Sequence, residues 1–395
     1  MGIRVANIIL DGRFGGPQNQ ILQVAKRLKE DGFEPIVIIP RKDSDIFHDK
    51  LVENEIRVER LNLHRFTGNK LRLTAWLLFF VPELFSLRKV LRRRNIRLVH
   101  CNTSWQIKGI LAAKLAGAKV IWHLHDTEKP KFVKIIVRVL THLFCDGLIL
   151  AGDRAREYYL NGHGIEKRNG RVIQAPVDTS YFNPQKVAED TLVGKSTGLR
   201  ITSVGNINPA KGFEYFVEMA HILHRKYSDL YFFIVGPHIE SQKRYWEELN
   251  RLVSQFGLKN LFFYGKSDNV ASILKATDVY VCSSVTEASP MSVWEAMAME
   301  KAVVSTNVGD VGRFIQHGEN GFIVPPRSAQ ALAEKVGVLI ENQTLRKEFG
   351  KRARTVAIKE LDIGICVERH KCFYREVLSN PRKERSREYR NRQYA

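Results

Sequence analysis

Short apolar, β-branched runs alternate with stretches of helical periodicity, and the scheme occurs twice along the 395 residues. In the first half the runs are "RVANIIL", "EPIVIIP", "IRLVHCN", "AKVIWHLHD" and "DGLILAG". Their hydrophobicity is continuous rather than alternating, which predicts parallel strands covered on both faces. Between the first two, "QNQILQVAKRLKEDG" sets Ile21, Val24, Ala25 and Leu28 on one helical face and ends at Gly32, a stop signal. The second half restarts at "LRITSVGN" and runs on through "LYFFIVG", "NLFFYG", "DVYVCSS", "KAVVSTN" and "GFIVPP". Its helix "GFEYFVEMAHILHRKY" places Phe213, Phe216, Val217, Ala220 and Leu223 on one face.

Two βα-alternating halves predict an α/β chain of two doubly wound, Rossmann-like domains facing across a cleft. The length agrees, at about 150 residues per domain. Residues 1–182 form the expected first domain and residues 199–370 the second. Between them "NPQKVAEDTLVGKSTG" (183–198) is polar and aperiodic and reads as a linker. Residues 371–395 read as a closing helix and a basic, solvated tail.

Composition narrows the function classes. The formal charge of +20 implies an anionic partner: nucleic acid, a membrane surface or phosphorylated ligands. Five scattered cysteines, Cys101, Cys145, Cys282, Cys366 and Cys372, show no C-x-x-C spacing, so neither a disulfide framework nor a zinc site is expected. A cytoplasmic setting fits this usage, and Met1-Gly2-Ile3-Arg4 runs straight into an apolar strand with no signal-peptide pattern. The longest apolar run, "LTAWLLFFVPELFSL" (73–87), contains Pro82 and Glu83 and is too short for a span of about 20 residues.

In doubly wound sheets ligands bind beyond the carboxyl ends of the strands, and four such ends carry chemistry. In "DGRFGGPQNQ", Gly15 and Gly16 would let backbone amides approach an anion, or form an ordinary glycine turn. The dinucleotide spacing G-x-G-x-x-G is absent. "WHLHDTE" ends a strand in His123, His125 and Asp126, with His125 the better site candidate and a structural histidine the alternative. No third partner for a metal is evident. "VGNINPAKGFEYF" brings Lys211 to a helix start, as a phosphate clamp or a solvated loop lysine. The fourth stretch is "TEASPMSVWEAMAMEKAVVSTNVG" (286–309). Ser289 and Pro290 read there as N-cap and first helical residue. Glu287 then precedes the helix, Glu295 sits in its second turn roughly 9 Å along, and the amides of Met291, Ser292 and Val293 lie between them, where the helix dipole favours an anion. That geometry suits a diphosphate flanked by hydroxyl-bearing groups. The "DSD" triplet at Asp43 to Asp45 resembles a metal-binding motif found in one class of sugar transferase, but it follows a strand and a turn signal and reads as a solvated loop.

Taken in order, these motifs resemble the retaining glycosyltransferases of GT-B fold, especially glycosyltransferase family 4 (glycosyl transferases group 1). The Glu287-x7-Glu295 pair followed by "EAMA", the "FGGPQNQILQVAKRL" opening, the "HLHD" strand end, "VGNINPAKGFEYF" and "NVGDVGRFIQHGENGFIVPP" carry the resemblance, from about residue 3 to 378. It implies a hexose-type sugar moved from a nucleotide diphosphate sugar, a UDP-sugar ahead of a GDP-sugar, to a glycan or lipid-linked acceptor in polysaccharide or glycolipid biosynthesis. The first domain would face the acceptor and the second would hold the donor. Glu295 would bind ribose hydroxyls, Lys211 the diphosphate and Glu287 the donor sugar. The amides of Met291, Ser292 and Val293 would take phosphate or sugar oxygens. Gly15 and Gly16 would approach the diphosphate when the domains close, and His125 would lie beside the anomeric carbon. Asn206 stands where the family often has an arginine, leaving Lys211 as the side-chain cation for the diphosphate, and Ala288 replaces a common glycine. The resemblance implies no metal and no cofactor beyond the donor.

The basic charge has its own pattern. "SLRKVLRRRNIRLVH" carries six arginines or lysines between Arg88 and Arg97, just after an apolar run, and "KPKFVKIIVRVLTHLF" interleaves basic and apolar residues. Both fit a peripheral surface docked on anionic lipid, on the inner face of the cell membrane, with an ordinary basic helix face as the alternative. No nucleic-acid recognition motif accompanies the charge. A nucleotide-sugar epimerase of the same fold, or a non-catalytic sugar-nucleotide-binding protein, are the other readings.

Overall fold

The computed structural model describes residues 2–66, 70–125, 131–160 and 170–379. Asp126 and the basic tail at 381–395 lie outside the described residues. The strands are β1 (Ile3–Ile8), β2 (Phe33–Pro40), β3 (Arg57–Leu61), β4 (Leu98–Asn102), β5 (Lys119–Leu124), β6 (Gly147–Leu150) and β7 (Gly170–Val172), then β8 (Leu199–Val204), β9 (Leu230–Val235), β10 (Leu261–Gly265), β11 (Val279–Cys282), β12 (Ala302–Thr306) and β13 (Phe322–Val324). They form two all-parallel sheets, β3-β2-β1-β4-β5-β6-β7 and β10-β9-β8-β11-β12-β13. The strand order reverses between β1 and β4 and again between β8 and β11, which opens a crevice at the carboxyl ends of each sheet. The doubly wound reading therefore holds for both halves.

Every run read as a strand in the sequence is a strand. Two strands had no such signal. β3 is "RVERL", a partly exposed strand at the sheet margin, and β7 has three residues at the opposite margin. A margin strand needs apolar side chains on less of its surface, so continuous hydrophobicity does not mark it.

Alternation along the central strands divides the first unit's core between the two sheet faces. Ile36 and Ile38 pack with Leu87, Leu91, Val120 and Trp122 on one side. Val37 and Ile39 pack with Ile21, Ala25, Phe47 and Leu51 on the other. The helix Gly16–Glu30 buries Ile21, Val24, Ala25 and Leu28 as its periodicity predicts. In the second unit the helix Phe213–His224 buries Phe213, Phe216, Val217, Ala220 and Leu223 against Phe232 and Ile234.

The compact units divide the chain elsewhere than the sequence reading placed the boundaries. One comprises the described residues of Met1–Gln174 and Gly364–Ala395, the other Ala175–Ile363. The expected linker 183–198 is built into the second unit. Asp190 caps the short helix Thr191–Gly194 and accepts the Tyr264 hydroxyl at 2.9 Å, while Val193 is fully buried beside Phe233. The chain's last described helix, Ile363–Ser379, returns to the first sheet. Its Phe373 and Val377 lie where a side chain at Gly147 would stand, and its Tyr374 hydroxyl bonds His100 Nδ1. No helix among the described residues is long and apolar enough to cross a membrane.

In the second unit Gly350, within the helix Gln343–Val356, faces the carbonyl of Glu300, where an added Cβ would collide with the oxygen. Gly350→Ala is expected to destabilise the protein by about 1–3 kcal/mol through overpacking, read as a lower urea midpoint at unchanged slope.

Candidate functional site

Three loops meet at the carboxyl edge of the second sheet, after β8, β11 and β12. After β8 the chain passes Gly205 and Asn206 into the single turn Pro209–Lys211, capped by Asn208 through its side chain to Ala210 N at 3.0 Å. Gly212 then adopts φ +58° and opens the helix Phe213–His224. Any Cβ at Gly212 would meet the Ser283 carbonyl, so glycine is required twice over, by φ and by packing.

The loop after β11 is stitched to this turn. Val285 N donates to Ala210 O at 2.8 Å and Ser283 Oγ to Lys211 O at 3.0 Å, while Thr306 Oγ1, at the end of β12, donates to Ser284 O at 2.6 Å. Gly309, with φ +50°, brings the loop after β12 against the carbonyl of Ala288. The stitching fixes the side chains. Lys211 runs over Gly205, whose missing Cβ makes room for its stem, and its Nζ reaches Glu287 Oε1 at 2.6 Å. Ser284 Oγ donates to the same oxygen at 3.0 Å.

The helix Met291–Ala298 begins one residue later than its sequence suggests. Pro290 is the N-cap, and the Ser289 hydroxyl accepts instead from Ala175 N at 3.1 Å and from Trp294 Nε1 at 3.2 Å. Val293 N closes the first turn onto Pro290 O at 3.0 Å. Met291 and Ser292 precede it and carry the remaining amides of the helix start. Glu295 lies in the second turn, partly withdrawn from water.

Burial and charge act oppositely on this cluster. Loss of water around Glu295 raises its carboxyl to about 7, against the lowering field of Lys211. Burial disfavours the Lys211 cation, but the Glu287 carboxylate, by field and hydrogen bond, together with Cys282 and Glu295, holds its pKa above the usual lysine value. Tyr181 is half exposed, and burial and then the Glu295 charge raise its phenol. The result is an ammonium near two carboxylates at a helix start, bonded to Glu287 and not to Glu295, a set able to hold a diphosphate and hydroxyl-bearing groups together.

The structure thus brings Lys211, Glu287, Met291, Ser292, Val293 and Glu295 into one cluster, with Asn206 at its edge, where its carbonyl accepts from Asn208 Nδ2 at 2.9 Å. Ser284 and Tyr181 were missed. A serine three residues before Glu287 carries no motif, and Tyr181 is more than a hundred residues upstream of Glu295.

The other candidates belong to the first unit. Gly15 is the N-cap of the helix Gly16–Glu30 and has extended φ and ψ. A Cβ there would meet only Gln18 Oε1, at 3.5 Å, so internal packing does not demand glycine at that position. His125 stacks on His123 with centroids 3.8 Å apart, and its Nε2 lies 3.3 Å from Asn102 Oδ1 at the end of β4. Behind it the histidines continue inward. His123 Nδ1 is 3.1 Å from His100 Nε2, and His370 from the closing helix lies beyond. Burial pushes His100 and His123 well below the ordinary histidine range and His370 to about 4, so these rings are neutral core groups. His100 and His370 carry no sequence signal for this stack, since the second arrives from 270 residues away. Asp45 of the "DSD" triplet opens the helix Asp45–Glu53 and pairs with Arg60 at 2.6 Å. Among the described residues no group of three or more His, Cys, Asp or Glu is placed to hold a metal ion.

Residues 14–181 match the family model Glycosyltransferase Family 4, and residues 191–356 match Glycosyl transferases group 1. The UDP-Gal:alpha-D-GlcNAc-diphosphoundecaprenol alpha-1,3-galactosyltransferase of Escherichia coli is 24% identical over 396 residues, spanning 96% of this chain and 98% of that protein. The N,N'-diacetylbacillosaminyl-diphospho-undecaprenol alpha-1,3-N-acetylgalactosaminyltransferase of Campylobacter jejuni is also 24% identical, over 91% of this chain and 95% of that one. Among solved structures, Anabaena Alr3699/HepE in complex with UDP and glucose superposes with a TM-score of 0.82 at 18% identity, covering 95% of this chain and all of that one.

Because the Glu295 carboxyl is raised from 4.5 to about 7, the folded protein holds its proton where the unfolded chain has lost it. Wild type should therefore lose stability relative to Glu295→Gln as pH rises from about 4.5 to about 7, with the difference flat outside that window. Paired urea titrations across this range read it directly.

Proposed function

The chain belongs to the family-4-like glycosyltransferases of GT-B fold, and from that premise we propose that its second unit holds a nucleotide diphosphate sugar whose sugar passes to a glycan or lipid-linked acceptor. The observation that carries the reading is the cluster of Lys211, Glu287 and Glu295 at the start of the helix Met291–Ala298. A diphosphate there meets the Lys211 ammonium and the amides of Met291 and Ser292. Glu295 takes the ribose hydroxyls, and Glu287 those of a hexose-type sugar. A UDP-sugar is favoured over a GDP-sugar, since the Escherichia coli relative is named for UDP-Gal and the Anabaena structure holds UDP.

The reaction we propose retains the anomeric configuration. The acceptor hydroxyl attacks on the face from which the diphosphate leaves, and the departing diphosphate takes its proton. Lys211 and the helix start stabilise the charge that develops on that group. Glu287 binds the sugar in this scheme and is not the nucleophile. Gly15, Gly16 and His125, at the carboxyl end of the first sheet, are assigned to the diphosphate and the sugar. No metal or further cofactor is invoked.

A lipid-linked acceptor is favoured by two observations. Both relatives described above are named for diphosphoundecaprenol-linked substrates. The first unit also exposes large apolar side chains beside basic ones. Leu77, Leu78, Phe79, Val81 and Phe85 form one such ridge, next to Arg88, Lys89 and Arg92, and Ile135, Val139 and Leu143 form another. Both ridges lie on helices that pack to either side of the helix Ile107–Ala116 on the same sheet face. Such a surface suits peripheral docking on an anionic membrane from the cytoplasmic side.

Calorimetric titration with UDP and with GDP tests the donor site. UDP should bind, and Glu295→Ala should weaken it about tenfold to a hundredfold, the effect of losing hydrogen bonds to a charged acceptor. Unchanged UDP affinity in that variant would move the nucleotide to another site. For the surface, cosedimentation with vesicles containing anionic lipid should be strong at low salt and fall at high salt. No binding at low salt would remove the docking reading.

A further inference from the structure

The first unit contains an open cavity of about 720 Å³ that the donor cluster does not involve. Its walls come from three places: Arg41 and Lys42 after β2, Arg60 at the end of β3, and Phe79 and Glu83 at the start of the helix Phe80–Arg93, with His64 between them.

The electrostatics of this cavity are one-sided. Its acidic neighbours are already engaged. Glu83 is buried and paired with the fully buried Lys108, and it also accepts the His64 amide at 3.1 Å and His64 Nδ1 at 2.5 Å. Asp45 is held by Arg60 at 2.6 Å. Among the described residues neither Arg41 nor Lys42 has a carboxylate partner; the Arg41 guanidinium makes one long contact, Nε to the Arg60 carbonyl at 3.4 Å. Arg60 adds a buried Nε without a partner. The cavity therefore carries a guanidinium and an ammonium in excess of its acids.

Its rim is apolar. Phe79 stacks on His64 with centroids 5.0 Å apart and is also part of the exposed ridge that continues through Leu78 and Val81, which are 71% and 59% exposed. Exposed cations on one wall of an open cavity and an apolar ridge on another match an amphiphile with an anionic head and a hydrocarbon tail. Glu83 and Lys108 keep the His64 loop against the helix start, so this juxtaposition is anchored by a buried ion pair.

We infer that this cavity is the seat of the phosphate or diphosphate of a lipid-borne acceptor, with Arg41 and Lys42 on the anion and Phe79 at the first carbons of the tail. The inference rests on the transferase reading with a lipid-linked acceptor and assigns that acceptor's head group to named residues of the first unit.

The test uses the full chain with the donor site filled by saturating UDP, and farnesyl diphosphate as probe in calorimetric titration. Wild type is expected to bind it. Arg41→Ala with Lys42→Ala should weaken binding at least tenfold, and so should the single charge reversal Lys42→Glu, which removes no internal contact. UDP affinity should stay unchanged in both. Equal farnesyl diphosphate affinity in wild type and both variants would overturn the assignment. Inorganic pyrophosphate binding as tightly as farnesyl diphosphate would overturn its lipid-borne part and leave a site for a free diphosphate. Loss of UDP binding in the wild type is a separate result that strikes the donor reading instead.

Discussion

The ion pair between Lys211 and Glu287, 2.6 Å long and largely withdrawn from water, decides how the second unit's loops are arranged. A lysine and a glutamate taken from water are costly apart and tolerable together, so the turn after β8 and the loop after β11 must keep one geometry. Backbone bonds enforce the same arrangement independently, from Val285 to Ala210 and from Ser283 to Lys211. One cation then stands near two carboxylates and touches only one. Glu295 receives the field of Lys211 without its hydrogen bond, burial prevails, and its carboxyl titrates near neutrality. The two glutamates are thus unlike groups, although they are the same residue eight positions apart.

The parallel sheets explain why such a cluster lies where it does. Every strand of a parallel sheet ends on the same side, and the loops that leave β8, β11 and β12 converge there. Strand order reverses between β8 and β11, so the helices that follow them leave on opposite faces and a crevice stays open between their starts. Lys211 leads into one of these helices and Glu295 lies on the other. The first unit has the same reversal between β1 and β4 but puts different chemistry at its edge: a glycine turn at Gly15, the His125–Asn102 contact, and the cationic cavity after β2 and β3.

Buried polar groups play contrasting parts in the two units. In the first, Lys108 and Glu83 hold a loop to a helix start, and the stacked histidines fill space beside the closing helix as neutral rings. Removing one member of the ion pair would leave an unpaired charge in the core. In the second unit the comparable pair remains partly open to solvent.

The sequence by itself determined the strands that need continuous hydrophobicity, from "RVANIIL" to "GFIVPP", and the helical faces of residues 16–30 and 213–224. The local signals at Lys211, Glu287 and Glu295 were legible too, because each depends on a turn or helix start a few residues away. Tertiary structure decided the rest. It started the helix at Met291 by engaging Ser289 with Ala175 and Trp294, and it added the margin strands β3 and β7, which need little apolar surface. It also drew 183–198 into the second core and returned the closing helix to the first sheet. The partners involved, such as His100 with Tyr374 or Tyr181 with Glu295, lie a hundred residues or more apart. Local patterning encodes which face of an element is buried; only the packed chain decides what it is buried against.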